Sequence, residues 1–262
     1  VHCHDLTTLP IGGEYKKHHP STRLVFDSHE LYEEVANLSP AMKRYWQRVL
    51  SQHAPAVDGF ITVNQSIADE LRTRYPVLPE PVVVCNAVEL NGELPPYDGR
   101  LHEAAELPSD TNILLYQGGY ATHRGLEMLV ESAPQLPEGW VLVMMGWGKL
   151  EPHLQKIAGR FDPDGDKIRF IPPAPQAELQ RWTSGASLGV IPYENTCMNH
   201  WFCSPNKLWE YPAAGVPILA SPFPELSRIV TGEDVGILLG DTPDPGDLAR
   251  RVAEVDESRL AD

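Results

Sequence analysis

Six times between residues 112 and 255 a short apolar run gives way to a helix-length segment, and that rhythm restricts the fold more than any other feature of the chain. The apolar runs fall at 112–116, 140–145, 168–171, 188–191, 216–220 and 235–239. The helical segments follow at 124–132, 150–158, 176–182, 205–214, 225–230 and 247–255. Short apolar strands separated by helices are βαβ units, and six of them make one doubly wound α/β domain. Right-handed crossovers place every loop that follows a strand on one rim of the sheet, so ligand chemistry is expected there.

The first half repeats the pattern less regularly. Strands are expected at 24–26, 59–63 and 81–85, with helices at 42–52 and 66–74, the second capped by Ser66. This is half of an open α/β sheet. Between Glu89 and Asp110 the composition turns to Asn, Gly, Pro and acidic residues without periodicity, which is how an interdomain connection reads. The expected organisation is a partial first domain at 1–88, a connection at 89–110 and a second domain at 111–262. The chain opens without Met and enters a strand-like segment almost at once, which suggests a fragment of a longer protein.

Charge removes several function classes. A net charge of −15 and a pI near 5.0 repel nucleic acid and anionic lipid surfaces. The four cysteines, Cys3, Cys85, Cys197 and Cys203, form no C-x-x-C pair and read as reduced thiols. With no apolar run long enough for a membrane span and no signal-peptide pattern, the expected location is cytoplasmic.

Three segments can carry chemistry. In the segment from Cys203 to Pro217, Ser204 suits an N-cap and Pro205 a first helical residue, so the amides of that turn, with Asn206 and Lys207 in it, would meet a phosphate. Glu210, one and a half turns on, could accept two hydrogen bonds from a ribose diol. In the segment from Tyr116 to Glu127, Gly118 and Gly119 leave a strand and Arg124 enters a helix with a bidentate fork for a diphosphate. In Met145-Gly146-Trp147-Gly148, small residues including Gly146 could make room for a base or ribose. This is not a dinucleotide G-x-G-x-x-G, because the third glycine is absent. Each segment alone also suits a plain cap or turn, and only their combination separates the readings.

In order and content these segments resemble the retaining family 4 glycosyltransferases of the two-domain GT-B architecture, most specifically over residues 204–217. The resemblance implies two Rossmann-like doubly wound domains, the first one partial. It also implies transfer of a glycosyl group, of hexosyl type, from a nucleoside diphosphate sugar to a hydroxyl acceptor with retention of configuration and no cofactor. In such enzymes the helix start meets the diphosphate, the Glu matching Glu210 holds the ribose, and a basic residue matching Arg124, usually Lys, neutralises phosphate. Lys207 would add to this if it points into the cleft. The segment from Phe26 to Leu31 is similar to the strand ending in a catalytic histidine, which places His29 beside the donor. One departure is plain: the family pairs two glutamates with seven residues between them, and here the position eight before Glu210 is Phe202.

Two other classes are weighed. A non-catalytic nucleotide-sugar-binding module would account for the missing glutamate and the incomplete first domain. His2-Cys3-His4 at a strand end is also how metal-dependent hydrolases present two ligands. No further His, Asp or Glu cluster at a strand end completes such a site in the sequence, so no metal is expected.

Overall fold

The computed structural model describes residues 1–89 and 95–255. Residues 90–94 of the expected connection, and 256–262 at the end of the expected second domain, lie outside the described residues. The chain divides into two compact units. The first is Val1–Asn86 with Asn195–Ser204 and Phe223–Glu225, and the second is the remainder. The division therefore differs from a simple cut near residue 88, because two short stretches from late in the sequence pack with the first unit.

The first unit holds a parallel sheet of four strands in the order β1-β2-β3-β4: β1 (His2–His4), β2 (Val25–Ser28), β3 (Gly59–Thr62) and β4 (Pro81–Val83). Helices α1 (Leu9–His18), α2 (Pro40–His53) and α3 (Gln65–Arg74) connect them. Helix α1 was not expected from the sequence, and it holds two residues of low helix propensity, Gly12 and Gly13. Packing explains them. A Cβ on Gly12 would lie 2.3 Å from Cys3 Sγ, and one on Gly13 would lie 2.5 Å from His53 Nδ1, so the glycines let α1 approach β1 and α2. The cap of α3 is Asn64, whose Oδ1 accepts from the Ile67 amide at 2.8 Å, and not Ser66. Ser66 instead holds Glu225 Oε1 through its amide and hydroxyl, at 2.9 and 2.8 Å.

The second unit opens with α4 (Arg100–Ala104), a short helix inside the segment that had read as unstructured. Tyr97 supports it, its hydroxyl accepting from the Leu101 and His102 amides. The sheet that follows has six parallel strands: β5 (Asn112–Gly119), β6 (Trp140–Trp147), β7 (Ile168–Ile171), β8 (Leu188–Ile191), β9 (Ile218–Ala220) and β10 (Gly236–Leu238). Their spatial order is β10-β9-β8-β5-β6-β7, so the chain builds outward from β5 in one direction, then returns and builds outward from β8 in the other. All six strands and their order class match the sequence expectation. The strands are apolar without alternation because a doubly wound sheet is covered on both faces, and Ile113, Leu114, Leu115 and Tyr116 are all fully buried.

Helices α5 (Leu126–Ser132), α6 (Glu151–Phe161), α7 (Leu179–Thr183), α9 (Lys207–Ala213), α10 (Pro224–Gly232) and α11 (Pro245–Ala253) follow the strands; α8 (Met198–Trp201) packs with the first unit. Two starts differ from the sequence reading. Arg124 lies before α5, in a bend between His123 (φ 64°) and Gly125 (φ 66°). A Cβ on Gly125 would fall 1.8 Å from the Pro192 carbonyl oxygen, so only glycine fits there. Helix α9 begins at Lys207 after Asn206, which makes no side-chain cap bond, and Ser204 is not its cap. The Ser204 hydroxyl accepts instead from Asn64 Nδ2 at 3.1 Å. Pro205 still belongs to the entry turn, since its carbonyl accepts from the Leu208 amide at 2.9 Å.

Candidate functional site

An open sheet of this order parts its loops where the winding reverses, and ligands settle outside the carboxyl ends of the strands at that point. In the second unit the reversal lies between β5 and β8. A cavity of about 810 Å³ opens there, within the range of small-molecule sites. Its walls come from the ends of β5 (Gln117, Gly118) and β6 (Met145, Trp147), from the loops after β7 and β8, and from the start of α9. Of the residues singled out from sequence, Gly118, Arg124, Pro205, Asn206, Lys207 and Glu210 line it.

The cationic side is built on aromatic rings. Lys207 is buried, and its ammonium sits 3.9 Å from the centroid of Tyr116, 5.5 Å from that of Tyr193. The Tyr116 ring is itself fixed, because its hydroxyl donates to the Gly119 carbonyl at 2.9 Å, and burial pushes its pKa up. Arg124 lies over Tyr193 at 5.6 Å and donates to the same Gly119 carbonyl at 3.2 Å. A face-on ring attracts a cation, so the rings help to position both groups. Gly118, with φ at 123°, leaves the space beside Lys207 open; a Cβ there would stand 3.6 Å from the ammonium.

The acidic side is held by a buried relay that sequence reasoning did not find. Thr183 donates to Gln117 Oε1 at 2.8 Å, and Gln117 Nε2 donates to Glu210 Oε2 at 2.8 Å. Gln117 is 3% exposed and Thr183 fully buried, so the relay fixes one oxygen of Glu210. Beneath it, Tyr211 donates to the Leu115 carbonyl at 2.8 Å and accepts from the Gln117 amide at 3.3 Å. The Tyr211 ring fits because residue 189 is glycine: a Cβ there would fall 2.5 Å from it. No one-dimensional pattern links residues 117, 183 and 210, and only the strand order brings them together.

Four expected site residues do not line the cavity. Gly146 is buried in the ladder opposite Gly118, where its missing side chain lets β5 and β6 approach, and it makes no room for a ligand. The side chains that line the cavity are its neighbours Met145 and Trp147, the second largely exposed. Gly119 serves through its carbonyl. Ser204 packs in the first unit, as does Phe202, whose ring lies against that unit's core while its carbonyl accepts from Asn64 at 2.7 Å. His29 is also in the first unit, its amide donating to Asp5 Oδ1 at 3.1 Å. The statement that no acid completes the His2 and His4 pair is corrected: the β1–β2 register sets Asp27 beside His4, and all three side chains converge.

Comparison with known proteins decides the family. The model described as "Glycosyl transferases group 1" matches residues 111–257, more than half of the chain, and the model described as "Glycosyltransferase Family 4" matches residues 1–91. The chain belongs to the group 1 glycosyltransferases. Similar curated group 1 relatives include a D-inositol 3-phosphate glycosyltransferase of Streptosporangium roseum, 28% identical over 218 residues, covering 78% of this chain and 48% of the relative. Another, of Streptomyces bingchenggensis, is 30% identical over 211 residues, covering 75% and 45%. This group 1 chain thus spans about half the length of the curated relatives it matches. Among solved structures, sucrose-phosphate synthase from Thermosynechococcus elongatus superposes with a TM-score of 0.75 at 20% identity, covering 99% of this chain and 64% of that one. Anabaena HepE in complex with UDP gives a TM-score of 0.77 at 16% identity, covering 99% and 70%. These likenesses show the fold, a GT-B-like α/β architecture of two parallel sheets. Among the described residues no helix is long and apolar enough to cross a membrane.

Proposed function

We propose that the second unit binds the nucleoside diphosphate of a sugar donor in the cavity at the carboxyl ends of β5 and β8, and that the protein transfers a hexosyl group from that donor to a hydroxyl acceptor with retention of configuration. One observation carries the reading: Lys207, Arg124 and the fixed carboxylate of Glu210 line the same cavity. Two cations suit a diphosphate, and a carboxylate with one oxygen held by Gln117 has lone pairs left for a ribose diol. The departing diphosphate gains charge as the glycosidic bond breaks. Cations already seated on Tyr116 and Tyr193 would stabilise that charge without reorganisation. Trp147 and the apolar loop after β7 offer faces for the base. Relatives solved with UDP and UDP-glucose make uridine the first base to test.

His29 is assigned to the transfer step by the resemblance of the segment from Phe26 to Leu31. A second reading, nucleotide-sugar binding without transfer, is favoured by Phe202, a core-packing ring where the family carries a carboxylate. Donor hydrolysis separates the two.

The test of the donor site is a thermal-shift titration with UDP, GDP, ADP, dTDP and their sugars. Ligand at a hundredfold over its dissociation constant stabilises a fold by about 2.7 kcal/mol. One nucleotide is expected to shift the wild type, much less the Glu210→Ala variant, and Phe202→Ala like the wild type. If no nucleotide shifts the wild type, the donor-site assignment fails.

A further inference from the structure

The first unit carries a second cluster, of which the proposed transfer reaction uses only the adjacent His29. In β1, His2 and His4 are two residues apart and share a face of the sheet, while Cys3 between them points into the core. The parallel register pairs His4 with Asp27 of β2. His2 Nε2 lies 3.0 Å and His4 Nδ1 3.3 Å from Asp27 Oδ2, and the ligand atoms of the three residues all fall within 4.8 Å of one another. His29, just past the end of β2, adds a third imidazole nearby: its Nε2 is 3.4 Å from His4 Nδ1 and 3.4 Å from Asp27 Oδ1.

From these distances we infer that the ends of β1 and β2 form a binding site for a divalent transition-metal ion of the zinc class, with His2 Nε2, His4 Nδ1 and the Asp27 carboxylate as ligands and His29 as a neighbouring imidazole. The argument is geometric. A tetrahedral zinc ion with bonds of about 2.0–2.1 Å sets its ligand atoms roughly 3.3–3.5 Å apart, and His4 Nδ1 stands 3.3 Å from Asp27 Oδ2. His2 Nε2, 3.0 Å from the same oxygen, needs only a small opening, and its side chain is 46% exposed and so has room to turn. Asp27, by contrast, is 13% exposed and positioned by its strand, so it acts as the anchor. Asp5 stands behind His29, 3.6 Å from its Nδ1, and orients that neighbouring imidazole. A nitrogen-rich set of this kind favours zinc, cobalt or nickel and disfavours magnesium and calcium, which take oxygen. Occupancy would tie β1 to β2 at the rim.

The test uses tag-free protein, titrated calorimetrically with Zn²⁺, with Mg²⁺ as the control ion and Co²⁺ absorption as the reporter of geometry. One Zn²⁺ per chain and an intense tetrahedral Co²⁺ spectrum are expected. His4→Ala and Asp27→Asn are each expected to weaken Zn²⁺ binding by at least about tenfold, with circular dichroism confirming that both variants remain folded. His18→Ala, on a separate exposed helix end, is expected to bind as the wild type does. The inference is overturned if the wild type shows no saturable Zn²⁺ binding, or if His4→Ala and Asp27→Asn both bind Zn²⁺ as tightly as the wild type. Loss of nucleotide binding elsewhere would leave this result untouched, because none of these residues lines the donor cavity.

Discussion

Replacing Gly146 by alanine tests the geometry of the donor cavity at its foundation. The new Cβ would stand 2.0 Å from the Gly118 carbonyl oxygen, 3.1 Å from its carbon and 2.9 Å from Tyr120 Cε1. A carbon and an oxygen on neighbouring strands settle at about 3.3 Å or more, so β5 and β6 must part by more than an ångström at this point. Strands pair at about 4.8 Å, and a ladder does not stretch that far without losing bonds. The bond from the Tyr120 amide to the Trp147 carbonyl, 2.6 Å long, is the first exposed to the strain. One or two lost backbone bonds at about 1 kcal/mol each, with overpacking of about 1–3 kcal/mol, give a destabilisation of roughly 2–5 kcal/mol. Gly118 moves with the strand end, so nucleotide affinity is expected to fall by at least about tenfold although residue 146 does not line the cavity. Urea unfolding gives the first number and nucleotide titration the second. Gly159→Ala is the control. It lies within α6 with nothing inside 4 Å of its added Cβ, and alanine there is expected to stabilise by about 0.5–1 kcal/mol. A Gly146→Ala protein within about 0.5 kcal/mol of wild type and unchanged in nucleotide affinity would refute the reasoning.

Other expectations follow from the same contacts. Thr183→Val leaves Gln117 Oε1 buried without its donor, so a loss of about 1–3 kcal/mol in chemical denaturation and weaker nucleotide binding through a loosened Glu210 are expected. Lys207→Met keeps the apolar stem over Tyr116 and removes the charge; titration is expected to show a diphosphate losing about 1.5–3 kcal/mol of affinity while the bare nucleoside is unaffected. His29→Ala is expected to abolish donor turnover while nucleotide affinity stays within about twofold, an order-of-magnitude bound on a group outside the diphosphate site. Glu33 gives a pH test. Burial pushes its carboxyl above the usual value near 4.5, against the opposing bonds from Tyr75 and Arg74. The folded state then holds the proton more tightly than the unfolded one. Its stabilising contribution is complete below about 4.5 and is lost as pH rises through the raised value. The stability difference between wild type and Glu33→Gln, followed by urea titration at several pH values, should therefore turn against the wild type as pH rises through that window.

The sequence by itself settled the class of the fold. The six βα repeats, their order and the rim that carries the loops all follow from apolar runs and their spacing, because periodicity is local and a parallel sheet needs strands without a polar face. Pro205, Lys207 and Glu210 could be singled out for the same reason: they sit within a few residues of one another around one helix start. Packing decided what lies across the sheet. The relay from Thr183 through Gln117 to Glu210 joins residues on α7, β5 and α9, and no spacing encodes it. Gly12 and Gly13 carry no signal of their own in the sequence, and only the packing shows that Cys3 and His53 need their space. Gly146 looked like an opening for a ligand and proved to be a point of strand contact. Ser204 and Ser66 had capping character, but the caps or turns formed one or two residues away, where Asn64 and Asn206 met the helix starts. His2 and His4 announced a pair; Asp27, more than twenty residues on, joined them only through the register of two parallel strands. Sequence periodicity records which face of an element meets the core, whereas a site depends on which elements become neighbours, and neighbours are chosen by the sheet as a whole.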